Sequence, residues 1–347
     1  MNYKLLGKRT GLPVSDLALG AGNFGQAWGY GAEAKEAERI ISLYTEHGGN
    51  LIDTADTYQC GESEEILGKA IATKRNDLVI STKYTRGVFP GQALGTLGNH
   101  RKSMVQAVED SLRRLKTDRI DLYFVHQDDF FTPIEEIVRG LDDLVRAGKI
   151  VYGGISNFPA WRISAAATLA DLRGWSAVSA IEVEYSLLQR ETERDLLPMA
   201  EAMGLGVLAW SPLAGGLLTG KYRKGESGRA TVFAGSNPYQ GGEIAEAVLD
   251  RLFAIAEVLE SEPALVALAW LKAKNVIPIL GPRTFEQLEY NLKAADLHLT
   301  DEQVESLDEA SSIKMGYPHD FNRAPENRST LTGNKVDLIK KPTITVL

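Results

Sequence analysis

The chain has 347 residues, 44% of them hydrophobic, and a formal net charge of −8. That apolar content supports one large core, and the acidic balance offers no electrostatic reason to bind nucleic acid or an anionic membrane surface. A single cysteine, Cys60, excludes an internal disulfide framework and a cysteine-rich zinc site. No run approaches the roughly 18 apolar residues of a membrane helix. The N-terminus, MNYKLLGKRTGLPVSD, lacks a signal-peptide apolar region, so a cytoplasmic location is expected.

In chain order, YKLLGKRTGLPVS, within residues 1–16, reads as a hairpin placed to plug a barrel floor. Eight β-rich runs follow: LALG (17–20), NLID (50–53), LVISTK (78–83), IDLYFVH (120–126), VYGGIS (151–156), AIEVEYS (180–186), GVLAWSP (206–212) and VIPILG (276–281). Between them, stretches such as AEAKEAERIISLYTEH, HRKSMVQAVEDSLRRLK and PIEEIVRGLDDLVRAGK place apolar residues three or four apart, the spacing of a helix with one buried face. Repeated β-then-α order implies parallel strands joined by helical crossovers. Eight such units predict a closed (β/α)8 barrel over one domain, residues 1–347. Tyr84 to Asn99 and Gly215 to Gly242 exceed the usual loop length and read as mobile loops over a site. Residues 311–347 lack periodicity and read as an irregular tail, over the pocket or at a subunit contact.

In this architecture the chemistry gathers where strands finish. Asp53, Lys83 and His126 end the second, third and fourth runs, Ser156 and Asn157 the fifth, and Trp210 and Ser211 the seventh. Any one has an ordinary explanation: a turn cap, a lysine reaching solvent, a satisfied core histidine. Together they converge on one small area at the barrel mouth. With Tyr58, five residues past Asp53, they suggest a division of labour. Tyrosine's usual pKa of about 10 is too high for efficient proton exchange near neutrality. An ammonium about 4 Å away favours phenolate by roughly 4 kcal/mol at an effective dielectric of about 20, or about three pKa units at most. Lys83 is expected to tune Tyr58 into a useful range, with Asp53 holding Lys83 and His126 orienting a substrate oxygen or sharing its proton. There is no nucleophile, no metal cage and no second acid placed for hydrolysis. A group tuned to exchange a carbonyl proton needs a hydride partner, which implies a nicotinamide cofactor.

DTADTY, STK, DLYFVH, GISNF, EVEYSLL, WSPLAGGLLTGKY and GPRTFEQLEYN occur here in the order seen in the aldo-keto reductases. The chain resembles that family from about Tyr3 to Ala310. It looks closest to the branch with bacterial reductases, aflatoxin-aldehyde reductases and potassium-channel β-subunits. The resemblance implies that Tyr58 is the general acid in carbonyl reduction and the base in alcohol oxidation, tuned by Lys83 and Asp53, with His126 orienting the carbonyl. It implies that Ser156 and Asn157 hold the nicotinamide carboxamide and that Trp210 stacks on the ring. Gly22 and Asn23 would lie beside the nicotinamide. Ser211, Pro212, Leu213, Ala214 and Gly215, with Lys221, would embrace the pyrophosphate. Gly281, Arg283, Gln287 and Asn291 would grip the adenosine end. A guanidinium at Arg283 suits the 2′-phosphate of NADP(H), although Thr284 and Gln287 also fit a helix capping box. Many relatives read QVEY where this chain reads EVEY, so Glu182 replaces a glutamine that contacts the carboxamide. Strand alternation points Glu182 into the barrel. Either a lysine or arginine neutralises it, or its charge favours the oxidised cofactor.

GAGNFG (Gly20 to Gly25) fits a dinucleotide fingerprint but opens no helix, since helical spacing begins only near Ala32. A metal-dependent hydrolase is poorly matched, with no H-x-H or carboxylate cluster at the strand ends. The remaining rival is a non-catalytic NADP-binding partner subunit, as the channel β-subunits suggest. The expected substrate is a small carbonyl or alcohol. Phe24, Trp28, Tyr84, Phe89, Phe130 and Phe131 are candidates to line its pocket, and several of them equally fit a role in packing loops against the barrel. The oligomeric state is not legible in the sequence.

Overall fold

The computed structural model describes residues 1–226, 242–335 and 338–339. Strands β1 (Tyr3–Leu5) and β2 (Pro13–Ser15) form an antiparallel hairpin. The next eight are β3 (Ala18–Gly20), β4 (Leu51–Asp53), β5 (Val79–Tyr84), β6 (Ile120–Val125), β7 (Ile150–Ser156), β8 (Val178–Glu184), β9 (Gly206–Trp210) and β10 (Ile277–Leu280). They pair in parallel and in sequence order, and β10 returns to β3 to close the barrel. Each expected strand run is recovered within a few residues.

The pleat sends alternate side chains to two separate cores. Ile52, Ile80, Tyr123, Val125, Ile155, Ile181 and Val183 join the outer core beneath the helices. Leu51, Val79, Leu122, Phe124, Ala180, Leu208, Ile277 and Ile279 fill the barrel interior. Leu6 and Val14 of the hairpin belong to that interior cluster and stop the floor. The hairpin approaches closely enough that a Cβ on Gly7, at φ +70°, would lie 2.4 Å from the Gly206 nitrogen. With the floor sealed and the lower interior packed, the only place left for polar inward side chains is the mouth.

The outer helices include Ala34–Glu46, Glu62–Ala70, Arg101–Leu115, Ile134–Arg146, Ala160–Arg173 and Leu196–Met203. None among the described residues is long and apolar enough to cross a membrane. Ser63 lies inside Glu62–Ala70, where its hydroxyl donates to the Ala21 carbonyl at 2.7 Å. The loop after β5 contains a short turn at Leu94–Thr96. The described part of the loop after β9 forms two 3-10 turns, Ala214–Thr219 and Lys221–Lys224; residues 227–241, within the second expected long loop, lie outside the described residues.

Past Ala310 the chain is more regular than its sequence pattern indicates, with helices at His319–Arg323 and Pro325–Thr332. Tertiary anchors supply what periodicity lacks. Arg194 donates to the Lys314 carbonyl at 2.8 Å, and buried His319 lies 3.3 Å from Asp195. Arg323 shares a crevice with Lys4, Gly204 and Asn275 at the barrel floor, so this part of the tail runs away from the mouth.

Candidate active site

Along β4, β5, β6 and β8 the inward residues change from apolar to polar on approaching the mouth. Leu51 gives way to Asp53, Val79 to Ser81 and Lys83, Phe124 to His126, and Ala180 to Glu182. Lys83, fully buried, is the centre of the resulting cluster. Its Nζ donates to Asp53 Oδ2 at 2.6 Å and to the Thr54 carbonyl at 2.9 Å. It lies 3.4 Å from Tyr58 Oη and 3.3 Å from Glu182 Oε1. Ser81 fixes the other oxygen of Asp53, donating to Oδ1 at 2.6 Å.

Tyr58 reaches this cluster from the loop after β4, at the start of a turn in which Gln59 and Cys60 take positive φ values of 50° and 56°. The Gln59 side chain is buried and clasps the loop after β3, accepting from the Trp28 amide and donating to the Tyr30 carbonyl, both at 2.9 Å. Glu62 accepts from the Gln26 amide at 2.8 Å on the same loop. These bonds set Trp28 edge-on to Tyr58, with ring centroids 6.1 Å apart. His126 stands on the other side of Tyr58 at 5.8 Å, also edge-on.

A cavity of about 270 Å³ opens here, lined by Gly20, Gly22, Asn23, Trp28, Asp53, Tyr58, Arg86, His126, Gln127, Asn157, Glu182, Trp210, Ser211, Ile279 and Gly281. The four residues expected to act together therefore do meet, three at the cavity wall and Lys83 directly beneath. Arg86, three residues past Lys83, and Gln127, next to His126, were not anticipated. Their only sequence signal is position, at the start of the loops that follow β5 and β6.

The electrostatics depart from the simple expectation for Tyr58. Burial pushes its pKa up to about 12, Lys83 pulls the other way, and Asp53 and Glu182 raise it further. The ammonium does not bring the phenol into the neutral range because burial outweighs it, and Asp53 and Glu182 add to the burial. Burial opposes the charge on Lys83 itself, but Asp53 and then Glu182 outweigh it and keep the pKa above the ordinary lysine value. Glu182 is pushed up to about 8 by burial and then by Asp53, with Lys83 opposing. Burial, then the nearby charges of Lys83 and Arg86, hold His126 well below the ordinary imidazole range, so the ring is neutral. Its Nδ1 is buried and has no hydrogen-bond partner among the described residues.

Asn157, at φ 54°, is the tie between neighbouring strand ends. Its Nδ2 donates to the His126 carbonyl and to Ser156 Oγ, both at 2.9 Å, and its Oδ1 accepts from Trp210 Nε1 at 3.1 Å. Asn23 Nδ2 donates to the Gly281 carbonyl at 2.9 Å, joining the ends of β3 and β10. The loop after β9 carries Ser211 at the cavity; Pro212 and Ala214 are buried, Leu213 is half-buried, and the Gly215 carbonyl accepts from Tyr222 Oη at 2.9 Å. Lys221 Nζ lies 5.2 Å from the Tyr222 ring centroid. Arg283 stacks on Tyr30, 4.5 Å to the centroid, while its amide donates to Gln287 Oε1 at 2.8 Å. Thr284 caps the helix Phe285–Leu292, which also carries half-buried Asn291. Lys221, Arg283, Gln287 and Asn291 thus sit on loops and a helix beyond the cavity itself.

Of the aromatic residues considered for the pocket, Trp28 alone lines it. Phe24 is fully buried in the outer core. Tyr84 follows Lys83 by one residue, so the pleat turns it outward; it stacks on Tyr123 at 5.4 Å and donates to the Asn99 carbonyl at 3.1 Å. Phe89, Phe130 and Phe131 are exposed on loops outside the cavity wall.

Residues 16–312 match the Aldo/keto reductase family. The chain is 35% identical to the norsolorinic acid reductase of Aspergillus flavus, over 92% of this chain and 83% of that protein. It is 36% identical to an aldo-keto reductase of Emericella nidulans, over 92% and 84% respectively. Identity is 34% to the aryl-alcohol dehydrogenase [NADP(+)] of Phanerodontia chrysosporium, over 91% of this chain and 88% of that protein.

Proposed function

Since the chain belongs to the aldo-keto reductase family, we propose that it interconverts a carbonyl and an alcohol by hydride transfer with NADP(H), with Tyr58 as general acid in reduction and base in oxidation. The observation that carries this reading is the Lys83 ammonium, 2.6 Å from Asp53 and 3.4 Å from Tyr58, at the base of a cavity that His126 also lines. When bound, the cofactor supplies or accepts the hydride.

The residues present suit a nicotinamide. The cavity, about 270 Å³, lies just below the roughly 300–1,000 Å³ typical of small-molecule pockets. It would suit a ring and a small carbonyl, and residues of the loops after β9 and β10 would hold the adenosine half. Trp210 offers a flat flank. Ser156 and the unpartnered Glu182 Oε2 offer polar atoms for a carboxamide. Asn157 is committed to its neighbours and positions His126, Ser156 and Trp210. Arg283 would be the cation for a 2′-phosphate, and the name of the Phanerodontia relative, which includes NADP(+), supports that reading.

In reduction, neutral His126 donates an N–H to the carbonyl oxygen and so sets its direction. Tyr58, with its raised pKa, keeps its proton at neutral pH and yields it only as negative charge grows on that oxygen. Lys83 stabilises the phenolate left behind, while Asp53 and Ser81 fix the lysine. Trp28, Arg86 and Gln127 border the substrate end. The test is turnover of NADPH, followed by absorbance, across a panel of aromatic and aliphatic aldehydes and ketones. Turnover that disappears in Tyr58→Phe is the expected result. No turnover with NADPH or NADH on any carbonyl would favour a non-catalytic, cofactor-binding subunit.

A further inference from the structure

Glu182 is chemically unusual among the residues of the cavity wall. It is 2% exposed, on the inner face of β8, level with Ser156 of β7 in the strand register. One carboxyl oxygen, Oε1, lies 3.3 Å from Lys83 Nζ, and the other, Oε2, is buried with no hydrogen-bond partner among the described residues. Lys83 already has a shorter ion pair with Asp53, at 2.6 Å. One ammonium therefore faces two carboxylates, and the cluster carries one excess negative charge whenever both acids are ionised. The remaining titratable groups here do not offset it: Tyr58 is a protonated phenol, His126 is neutral and Arg86 stands at the exposed rim. From β3, β7, β9 and β10 the cavity receives Gly20, Asn157, Trp210 and Ile279, none of which is charged.

A buried excess charge with a free oxygen has two ways to be relieved. The carboxyl can take a proton, or a cation can enter the cavity. On the reading that the ligand is a nicotinamide cofactor, its two redox forms differ in this respect, because the oxidised ring is cationic and the reduced ring is neutral. We propose that Glu182 makes cofactor binding proton-linked: the carboxyl releases its proton to solvent when the oxidised ring occupies the cavity and keeps it when the reduced ring does. Ionised Glu182 then compensates the ring cation, while protonated Glu182 leaves Asp53 and Lys83 as a neutral pair beside the neutral ring. The raised pKa, about 8, puts this exchange within reach of neutral pH. The sign follows directly. Above that value Glu182 is already ionised and favours the oxidised cofactor; below it the preference fades.

The experiment is calorimetric titration of the full-length protein with NADP+ and with NADPH, in two buffers of different ionisation enthalpy, between about pH 6 and pH 9. The 2′-phosphate also titrates, near pH 6, but it is common to both cofactors and cancels in their difference. The expected result is that NADP+ binding releases more protons than NADPH binding near neutrality. The ratio of NADP+ to NADPH affinity should rise about tenfold for each pKa unit separating Glu182 in the two complexes. In Glu182→Gln both the proton difference and the pH dependence should disappear. Equal proton counts for the two cofactors in the wild type would overturn the proposal without any variant. A difference that persists in Glu182→Gln would overturn it as well. If neither cofactor binds, the cofactor reading fails first and this inference goes with it, whereas binding without a proton difference removes the inference alone.

Discussion

Replacing Lys83 with methionine removes the cation that holds the site together and leaves its two acids facing each other. Asp53 and Glu182 are each 2% exposed and lie 2.6 and 3.3 Å from Nζ, so solvent screens neither pair appreciably. At those distances, an effective dielectric of about 20 gives attractions of roughly 6 and 5 kcal/mol, before the cost of burying the charges is subtracted. Stripping one partner from a buried pair typically costs about 3–5 kcal/mol net. At one to a few degrees per kcal/mol, that is a fall of about 5–10 °C in thermal midpoint at pH 8. The loss depends on pH in a definite direction. Without the ammonium, which is the charge that opposes burial and Asp53 at Glu182, the folded-state pKa of that carboxyl rises further above its unfolded value. The penalty is therefore absent where both states are protonated and grows as the pH rises. Thermal unfolding followed by circular dichroism at about pH 5 and pH 8 should show the deficit widening between the two. Adding Glu182→Gln to Lys83→Met should restore part of it, since one of the stranded acids is gone. A variant as stable as wild type at pH 8 would refute the view that Lys83 compensates two buried carboxylates.

Tyr58→Phe should lower carbonyl reduction by about 10²–10⁴-fold, the usual share of general acid catalysis, with NADPH affinity nearly unchanged; steady-state turnover and fluorescence titration of the cofactor separate the two. Arg283→Ala should weaken NADPH by roughly tenfold or more and NADH much less, because a charge-assisted hydrogen bond is worth about 1.5–3 kcal/mol and only NADPH carries the 2′-phosphate. Equal losses for both would assign Arg283 to some other task, such as its stacking on Tyr30. Gly7→Ala, which puts a Cβ 2.4 Å from the Gly206 nitrogen at a positive φ, should cost about 1–3 kcal/mol of stability. Activity measured well below the melting temperature should stay near wild type, since the hairpin lies on the floor and the cavity at the mouth.

What the sequence determined by itself is whatever follows from periodicity and order along the chain. The alternation of strand and helix specified a parallel barrel, and the position of Asp53, Lys83 and His126 at successive strand ends put them at one mouth, because a closed barrel leaves them nowhere else to go. Local pairing was less legible where a single step of the pleat decides the outcome. Lys83 and Tyr84 are adjacent, yet one enters the site and the other stacks on Tyr123 in the outer core. Phe24 had the composition of a pocket residue and went to that same core. Glu182 was expected to face inward, and a lysine or arginine partner was one of its two expected fates. That the partner would be Lys83 itself was decided by the barrel's closure, which brings the inner faces of β4, β5 and β8 to one ammonium. The phenol's pKa turned on the same fact. Local chemistry alone argued for a tyrosine tuned downward by a neighbouring cation. Tertiary structure set the opposite direction, because desolvation and a second carboxylate are properties of the closed interior, to which residues far apart in sequence all contribute.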